Sequence, residues 1–330
     1  MNTINFYCCG GCGINLGRNV EYNKEKPSDG FANISNYYVD TSDSNIDKNL
    51  IKGDNVYLIE VSDDPNAPRG SGKKRDSNYG VISERINDIL LKFKPSTTLN
   101  VVIHSGSGGS GSVIGPLLVS ELISRNQPVM VCMVGSHGSK IETQNSLRTL
   151  ESYENIASLK KTPISAMYYE NGVNLSRSEV DEKIRVSLIL TALVFSGDIK
   201  ELDDSDLRNF LDYTKVTSFQ PRLSFIRIAE GNVTLDKEET VISATSVTDN
   251  VTSSEINIPV EYQATGILKK ENYEAFEIKR PIHLLNVLGT FNLVANRLKL
   301  RIKEFETARS ATIDKPIIGD ISEDNNGLVF

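Results

Sequence analysis

A chain of 330 residues is long enough for about two domains, and 39% hydrophobic with 24% charged residues is the composition of a folded globular protein. Its 36 Lys and Arg against 43 Asp and Glu leave a net charge of −7, which argues against a dedicated nucleic-acid binder. No apolar stretch reaches the roughly 18 residues of a membrane span and the N-terminus lacks a signal-peptide layout, so the expected setting is the cytoplasm, with no membrane partner.

The first two thirds alternate short β-rich runs with helical patterns. Strands are predicted at Ile4–Cys9, Tyr37–Val39, Val56–Val61, Leu99–His104, Val129–Val134 and Ile164–Tyr169, and helices at Tyr79–Phe93, Val113–Arg125 and Ile141–Leu159. This alternation predicts an α/β domain over residues 1–177, with a mostly parallel sheet covered on both faces. Ligands of such sheets bind beyond the carboxyl ends of the strands. Residues 178–196 then form a long helix whose second half is apolar almost all the way round, as in a buried strut between domains. After an acidic stretch, strands predicted at Leu223–Ala229, Thr240–Val247, Val260–Leu268 and Ile282–Val287 form a second, smaller sheet in a domain spanning 197–287. A second long helix covers 288–310 and carries Arg297, Lys299, Arg301 and Lys303, the most basic segment of the chain. Residues 311–330, with Pro316 and the acids Asp320, Glu323 and Asp324, read as a tail.

The strongest local signal is Ser105-Gly106-Ser107-Gly108-Gly109-Ser110-Gly111-Ser112. Its composition is that of a flexible linker, but a strand feeds straight into it and a helix follows without a gap. Such a junction collects backbone N–H groups at the positive end of a helix, a cradle for phosphate. A second glycine turn, Gly10-Gly11-Cys12-Gly13, follows the first strand, and together the two suggest one polyphosphate gripped by two loops. The second turn is neither a P-loop nor a complete dinucleotide fingerprint. Cys8, Cys9, Cys12 and Cys132, with His104, His137 and His283, show no metal-site spacing and read as reduced thiols and isolated imidazoles, with no resident metal ligands expected.

Ser107-Gly108-Gly109-Ser110-Gly111-Ser112 resembles the signature of the tubulin/FtsZ GTPases, (S/A/G)GGTG(S/A/T)G, and Gly10-Gly11-Cys12-Gly13-Ile14-Asn15-Leu16-Gly17 resembles the first nucleotide loop of tubulins, GxCGNQxG. Ser110 replaces the usual Thr, and Val113 stands where the final Gly would be. The short chain and its acidic tail resemble most the tubulins of large bacteriophages, PhuZ-like and more loosely TubZ. The resemblance implies a Rossmann-like GTPase domain joined by the long helix to a smaller mixed α+β domain. It implies GTP and GDP binding with Mg2+, and head-to-tail polymerisation into dynamic filaments. The role implied is to position phage DNA or a replication compartment in the host cytoplasm, with cargo handled indirectly. In Gly197–Arg208, Asp203 and Asp206 match the two acids of the family's catalytic loop and Glu201 takes the place of its Asn. These acids would act on the nucleotide of the adjacent subunit, although the same segment also reads as an acidic helix N-terminus.

The same correspondence puts Asp40 near phosphate and magnesium, Gly70-Ser71-Gly72 at the γ-phosphate and Glu142 on the ribose. It puts Asn171 and one of Asp181 or Glu182 on the base, and the tail on the neighbouring subunit. Two other readings are a Rossmann-type nucleotide enzyme and a filament scaffold without hydrolysis. The first lacks the third fingerprint glycine at the Gly10–Gly13 turn and gives no account of an acidic loop after a long helix, and the second leaves the pair of acids without a task.

Overall fold

The strand β1 (Thr3–Cys9) turns Ile4, Phe6 and Cys8 to one side and Tyr7 and Cys9 to the other, all fully buried, as the two-residue period of a strand requires. The structure is a computed structural model describing residues 2–21, 32–61, 71–172, 175–249, 256–275 and 278–311. After β1 come α1 (Gly10–Glu21), β2 (Asn33–Asp40), β3 (Val56–Leu58), α2 (Arg75–Lys92), β4 (Leu99–Ser105), α3 (Gly111–Ser124), β5 (Val129–Ser136), α4 (Lys140–Lys160) and β6 (Ile164–Asn171). The long helix α5 (Arg177–Val194) leads to α6 (Asp204–Leu211), β7 (Leu223–Glu230), β8 (Thr240–Thr248), β9 (Tyr262–Ile267), α7 (Lys270–Ala275), β10 (Ile282–Leu288) and α8 (Thr290–Ala311).

The strands form one sheet in the order β3-β2-β1-β4-β5-β6-β7-β10-β8-β9. Helices α1, α5 and α6 supply one apolar layer through Ile14, Leu188 and Phe210, and α2, α3, α4 and α8 supply the other through Ile86, Leu118, Leu150 and Leu298. Among the described residues, the strands expected to form a separate second sheet instead continue the first. β7 pairs in parallel with β6 over Ile164–Ala166, and this narrow seam carries the parallel sheet into the antiparallel β7, β10 and β8. Apolar periodicity identifies a strand but not its partner, and a three-residue seam leaves no mark of its own.

The long helix forms where expected, started by a capping box in which Ser176 and Glu179 satisfy each other's backbone N–H groups. Its Val180, Ile184, Leu188 and residues 191–194 are buried. The helix α1 was not expected, because three glycines among its first four residues disguise its start. None of the described helices is long and apolar enough to cross a membrane. The tail beyond residue 311 lies outside the described residues.

Two sets of hydrogen bonds define the ends of the sheet. Asn2, just before β1, donates its side-chain amide to Phe195 O (3.3 Å) and to Asp204 Oδ1 (3.2 Å), and Arg208 donates to Thr97 O (2.7 Å) just before β4. The chain leaving α5 and the start of α6 therefore sit at the amino ends of β1 and β4. Both glycine loops follow the carboxyl ends of those strands. A seven-residue strand separates the two places by roughly 20 Å.

Candidate nucleotide-binding site

At the carboxyl ends of β1, β2 and β4 lies a cleft of about 360 Å³. Both glycine loops line it, with Asp40, Ser42, Ser44 and Asn45 after β2, Ser71 and Lys73 before α2, and Glu142 from α4. Gly10 turns the chain from β1 into α1 at φ +70°, a conformation that glycine adopts without strain. Gly109 has no room for a side chain: a Cβ there would come within 2.1 Å of Ser71 Oγ and 2.9 Å of Lys73 Cα. No side chain caps the start of α3 at Gly111, so its first turn points backbone N–H groups toward the cleft end of the helix, and Ser112 folds back to donate to Gly108 O (2.6 Å). These are the features of an anion cradle.

Three hydroxyls join the loops across the cleft. Thr41 and Ser110 share a hydrogen bond of 3.0 Å, and Ser110 donates to Ser71 at 3.2 Å. Asp40 is 3% exposed, and burial pushes its carboxyl above the ordinary value against the hydrogen bond it accepts from Thr41 N at 2.7 Å. Glu142 is held below its ordinary value, first by the hydrogen bond from Lys73, and it also accepts from Ser136 Oγ at 3.1 Å. Behind the cradle, His104 is fully buried and shares a 2.6 Å hydrogen bond with the Tyr153 hydroxyl. Burial drags its pKa down to about 4, so it is a neutral packing element and not a proton carrier at neutral pH.

Cys12 lines the cleft, and burial, reinforced by Asp181, pushes its thiol up to about 12. Of the two acids expected near the base, Asp181 thus faces the first loop from α5, with burial raising its carboxyl. Glu182 points elsewhere: it pairs with Arg185 (2.7 Å) and lines a groove between α5 and β7. Asn15 is half-buried on α1. Asn171 ends β6 and opens onto a neighbouring cleft with Ser136, His137, Gly138 and Arg301. Its Oδ1 is buried without a hydrogen-bond partner among the described residues. Ser71 lines the cleft and Gly72 follows it in the turn without lining the cleft, whereas Gly70 lies outside the described residues.

The three acids assigned to catalysis are far from this cleft, at the amino end of the sheet. Asp203 caps α6, accepting from Ser205 N (2.8 Å) and Asp206 N (2.9 Å). Asp206 completes the box by accepting from Asp203 N (3.2 Å), and its other oxygen accepts from the Tyr262 hydroxyl (2.9 Å). Glu201 is exposed at φ +66° and pairs with Lys200 at 3.7 Å. A helix does start in this segment, with Asp203 as its cap and not Asp204 or Ser205, the caps its sequence suggests, and Asp203 stays solvent-facing.

Sequence reasoning missed several residues of the cleft. Asn45 lies against Gly11, and only the fold brings it there. Asn145 donates to Lys73 O and Ser107 O (both 3.2 Å), and Thr149 donates to Gly106 O (3.0 Å). These two, with Ser152, are polar at i, i+4 and i+7 on a helix that otherwise packs into the core, which is a readable sign of a buried polar stripe.

No family model matches the chain. Curated relatives do. The phage tubulin-like protein of Pseudomonas phage PhiPA3 is 30% identical over 227 residues, covering 68% of this chain and 65% of that protein, just under two thirds of its length. The phage tubulin-like protein of Pseudomonas phage phiKZ is 27% identical over 337 residues, covering 98% of this chain and 97% of its own. The solved protofilament of TubZ from bacteriophage PhiKZ superposes with a TM-score of 0.82 at 26% identity over 99% of both chains. This chain belongs to the phage tubulins of the tubulin/FtsZ superfamily. At 23% identity, the phage tubulin PhuZ solved with GDP shares the fold, with a TM-score of 0.80 over 99% of both chains. The expected fold is therefore correct, with the tubulin arrangement built on a continuous sheet.

Proposed function

We propose that this phage tubulin binds GTP in the cleft at the carboxyl end of the sheet and polymerises head-to-tail. Asp203 and Asp206 of one subunit then promote hydrolysis of the nucleotide held by the next. The supporting observation is the separation of the two groups: anion cradle and acids lie at opposite ends of one strand, out of reach of each other within a chain. Stacking in one direction brings the acidic end of each copy to the cleft of its neighbour, and a heterologous contact of that kind generates an open filament. Phosphoryl transfer depends chiefly on positioning and charge stabilisation, so splitting the site makes turnover conditional on assembly.

In this reading the backbone of residues 107–111 and the start of α3 hold the phosphates, Ser71 and Lys73 meet the terminal one, and Glu142 the ribose. Cys12 and Asn15 of the first loop, Asp181 and Asn171 surround the base. Asp40 suits Mg2+, since its buried carboxylate faces the cleft among hydroxyls. Bound to the phosphates, the ion would offset their charge beside the incoming acids. Asp203 and Asp206 orient and polarise the attacking water. Residues 312–330 dock on a basic patch of the neighbouring subunit, combining charge with apolar burial, and filaments position phage cargo in the host cytoplasm.

Turnover and light scattering followed against protein concentration test this. Turnover per subunit should rise steeply above an assembly threshold, and removal of residues 314–330 should raise that threshold. A rate per subunit independent of concentration would mean that one chain holds the whole site.

A further inference from the structure

One cation near the cleft has no task in the account above. Arg75 is the first residue of α2, directly after the turn that carries Ser71 and Lys73. Its guanidinium is partly buried and donates to two hydroxyls of α4, Thr149 Oγ1 and Ser152 Oγ, both at 2.6 Å. A guanidinium with five donors ordinarily hydrogen-bonds a carboxylate, whereas this one is held by neutral hydroxyls and feels Asp76 only through its charge. The same Thr149 hydroxyl donates to Gly106 O of the glycine-rich loop.

The turn that Arg75 terminates is strained. Gly72 and Lys73 both adopt left-handed backbone, at φ +54° and +60°. The second is a lysine, for which that conformation costs of order 1 kcal/mol and persists only if its surroundings enforce it. The enforcing contacts come from both sides. Asn145 of α4 holds Lys73 O, and Asn78 of α2 holds Ser71 O (3.3 Å) and Lys74 O (2.6 Å). Arg75 ties the base of the turn to the same face of α4 as Asn145.

We propose that Arg75 is a positioning residue for recognition of the terminal phosphate: its two hydrogen bonds to α4 hold the strained Gly72–Lys73 turn so that Ser71 and Lys73 stand over Gly109 and Ser110. The inference rests on the nucleotide reading of the cleft and adds a discriminator to it. The two cradle loops meet any nucleotide diphosphate, whereas the turn set by Arg75 meets the γ-phosphate. Loss of Arg75 should therefore weaken triphosphate binding selectively.

Calorimetric affinities for GTPγS and GDP, measured on the full chain and on Arg75→Gln, Arg75→Lys and Ser152→Ala, test this. Arg75→Gln should lose about tenfold or more in GTPγS affinity while GDP affinity stays within about threefold. Arg75→Lys keeps charge but cannot reach both hydroxyls, and it should fall in between. Ser152→Ala removes one of the two bonds without touching the cradle, so it should shift the ratio by a few-fold in the same direction. It carries the test if Arg75→Gln does not fold. Equal weakening of both ligands, or an unchanged ratio in every variant that folds, would overturn the role of Arg75. A wild-type protein that binds neither ligand would instead overturn the nucleotide reading itself.

Discussion

The two ends of the central sheet meet charge in opposite ways. At the carboxyl end the chain offers backbone: glycines that let main chain approach closely, a helix start without a side-chain cap, and hydroxyls linking Thr41, Ser110 and Ser71. At the amino end it offers carboxylates, and those of Asp203 and Asp206 are already engaged in capping α6 and in holding Tyr262. The difference teaches that the first end depends on shape and, at Gly109, has no room for an added atom. The second depends on charge held in a fixed orientation, for which the capping geometry is itself the support.

The largest expected effect tests the shape-dependent end. Gly109→Val drives a side chain into Ser71 and Lys73 and should lower nucleotide affinity at least a hundredfold, roughly 2.7 kcal/mol. Gly108→Ala meets nothing nearer than 3.9 Å and should bind nearly as the parent does. Equal behaviour of the two variants in a binding titration would break the claim that close approach at Gly109 matters.

At the charge-dependent end, Asp206→Asn removes the charge and keeps one of the two acceptor oxygens that serve Asp203 N and the Tyr262 hydroxyl, with an N–H₂ in place of the other. Turnover should fall by about 10²–10⁴-fold, the usual range for loss of a group that activates water. Nucleotide affinity and assembly should persist. Tyr262→Phe supplies the structural comparison, since it removes the hydroxyl donor and leaves the carboxylate. Its cost should be about 1 kcal/mol of stability with only a modest effect on turnover. A Tyr262→Phe variant as slow as Asp206→Asn would mean that Asp206 matters only for folding.

A smaller effect lies at the carboxyl end of β6, where α8 meets it. Glu170 is buried, which alone would raise its carboxyl, but His137, Tyr168 and Arg297 outweigh burial and pull it down to about 2. A depressed carboxylate stabilises the fold above its unfolded value near 4.3, and that contribution is lost as pH falls toward 2. Urea unfolding should show a loss of roughly 2 kcal/mol across that window, largely absent in Glu170→Gln. An unchanged pH profile in the variant would contradict the assignment. The smallest expected signal is at Cys12, whose raised thiol should stay unreactive toward alkylating reagents near pH 8.

The carboxyl-end site was the more legible from sequence because its chemistry is carried by contiguous residues. Gly108, Gly109 and Gly111 between a strand and a helix have few other uses. Helix α1 was hidden by the glycines that make it useful, and Asn45 was invisible because chain folding alone brings it to the cleft. The joined sheet was missed because its seam is the short Ile164–Ala166 pairing. Asp203 and Asp206 were found by motif, but their spacing alone gave helix cap and catalytic pair equal standing. The structure adds where they sit: at the amino end of β1, a strand's length from the cradle.

A mixing experiment tests the division of the site between subunits most directly. Gly109→Val subunits retain intact acids beside a blocked cleft, and Asp206→Asn subunits retain an intact cleft beside a neutralised acid. Each alone should be nearly inactive toward GTP. Mixed at equal concentration they should recover turnover, because the acids of the first can meet nucleotide held by the second. A mixture that sediments as one polymer yet stays as inactive as its components would contradict a site shared between adjacent subunits.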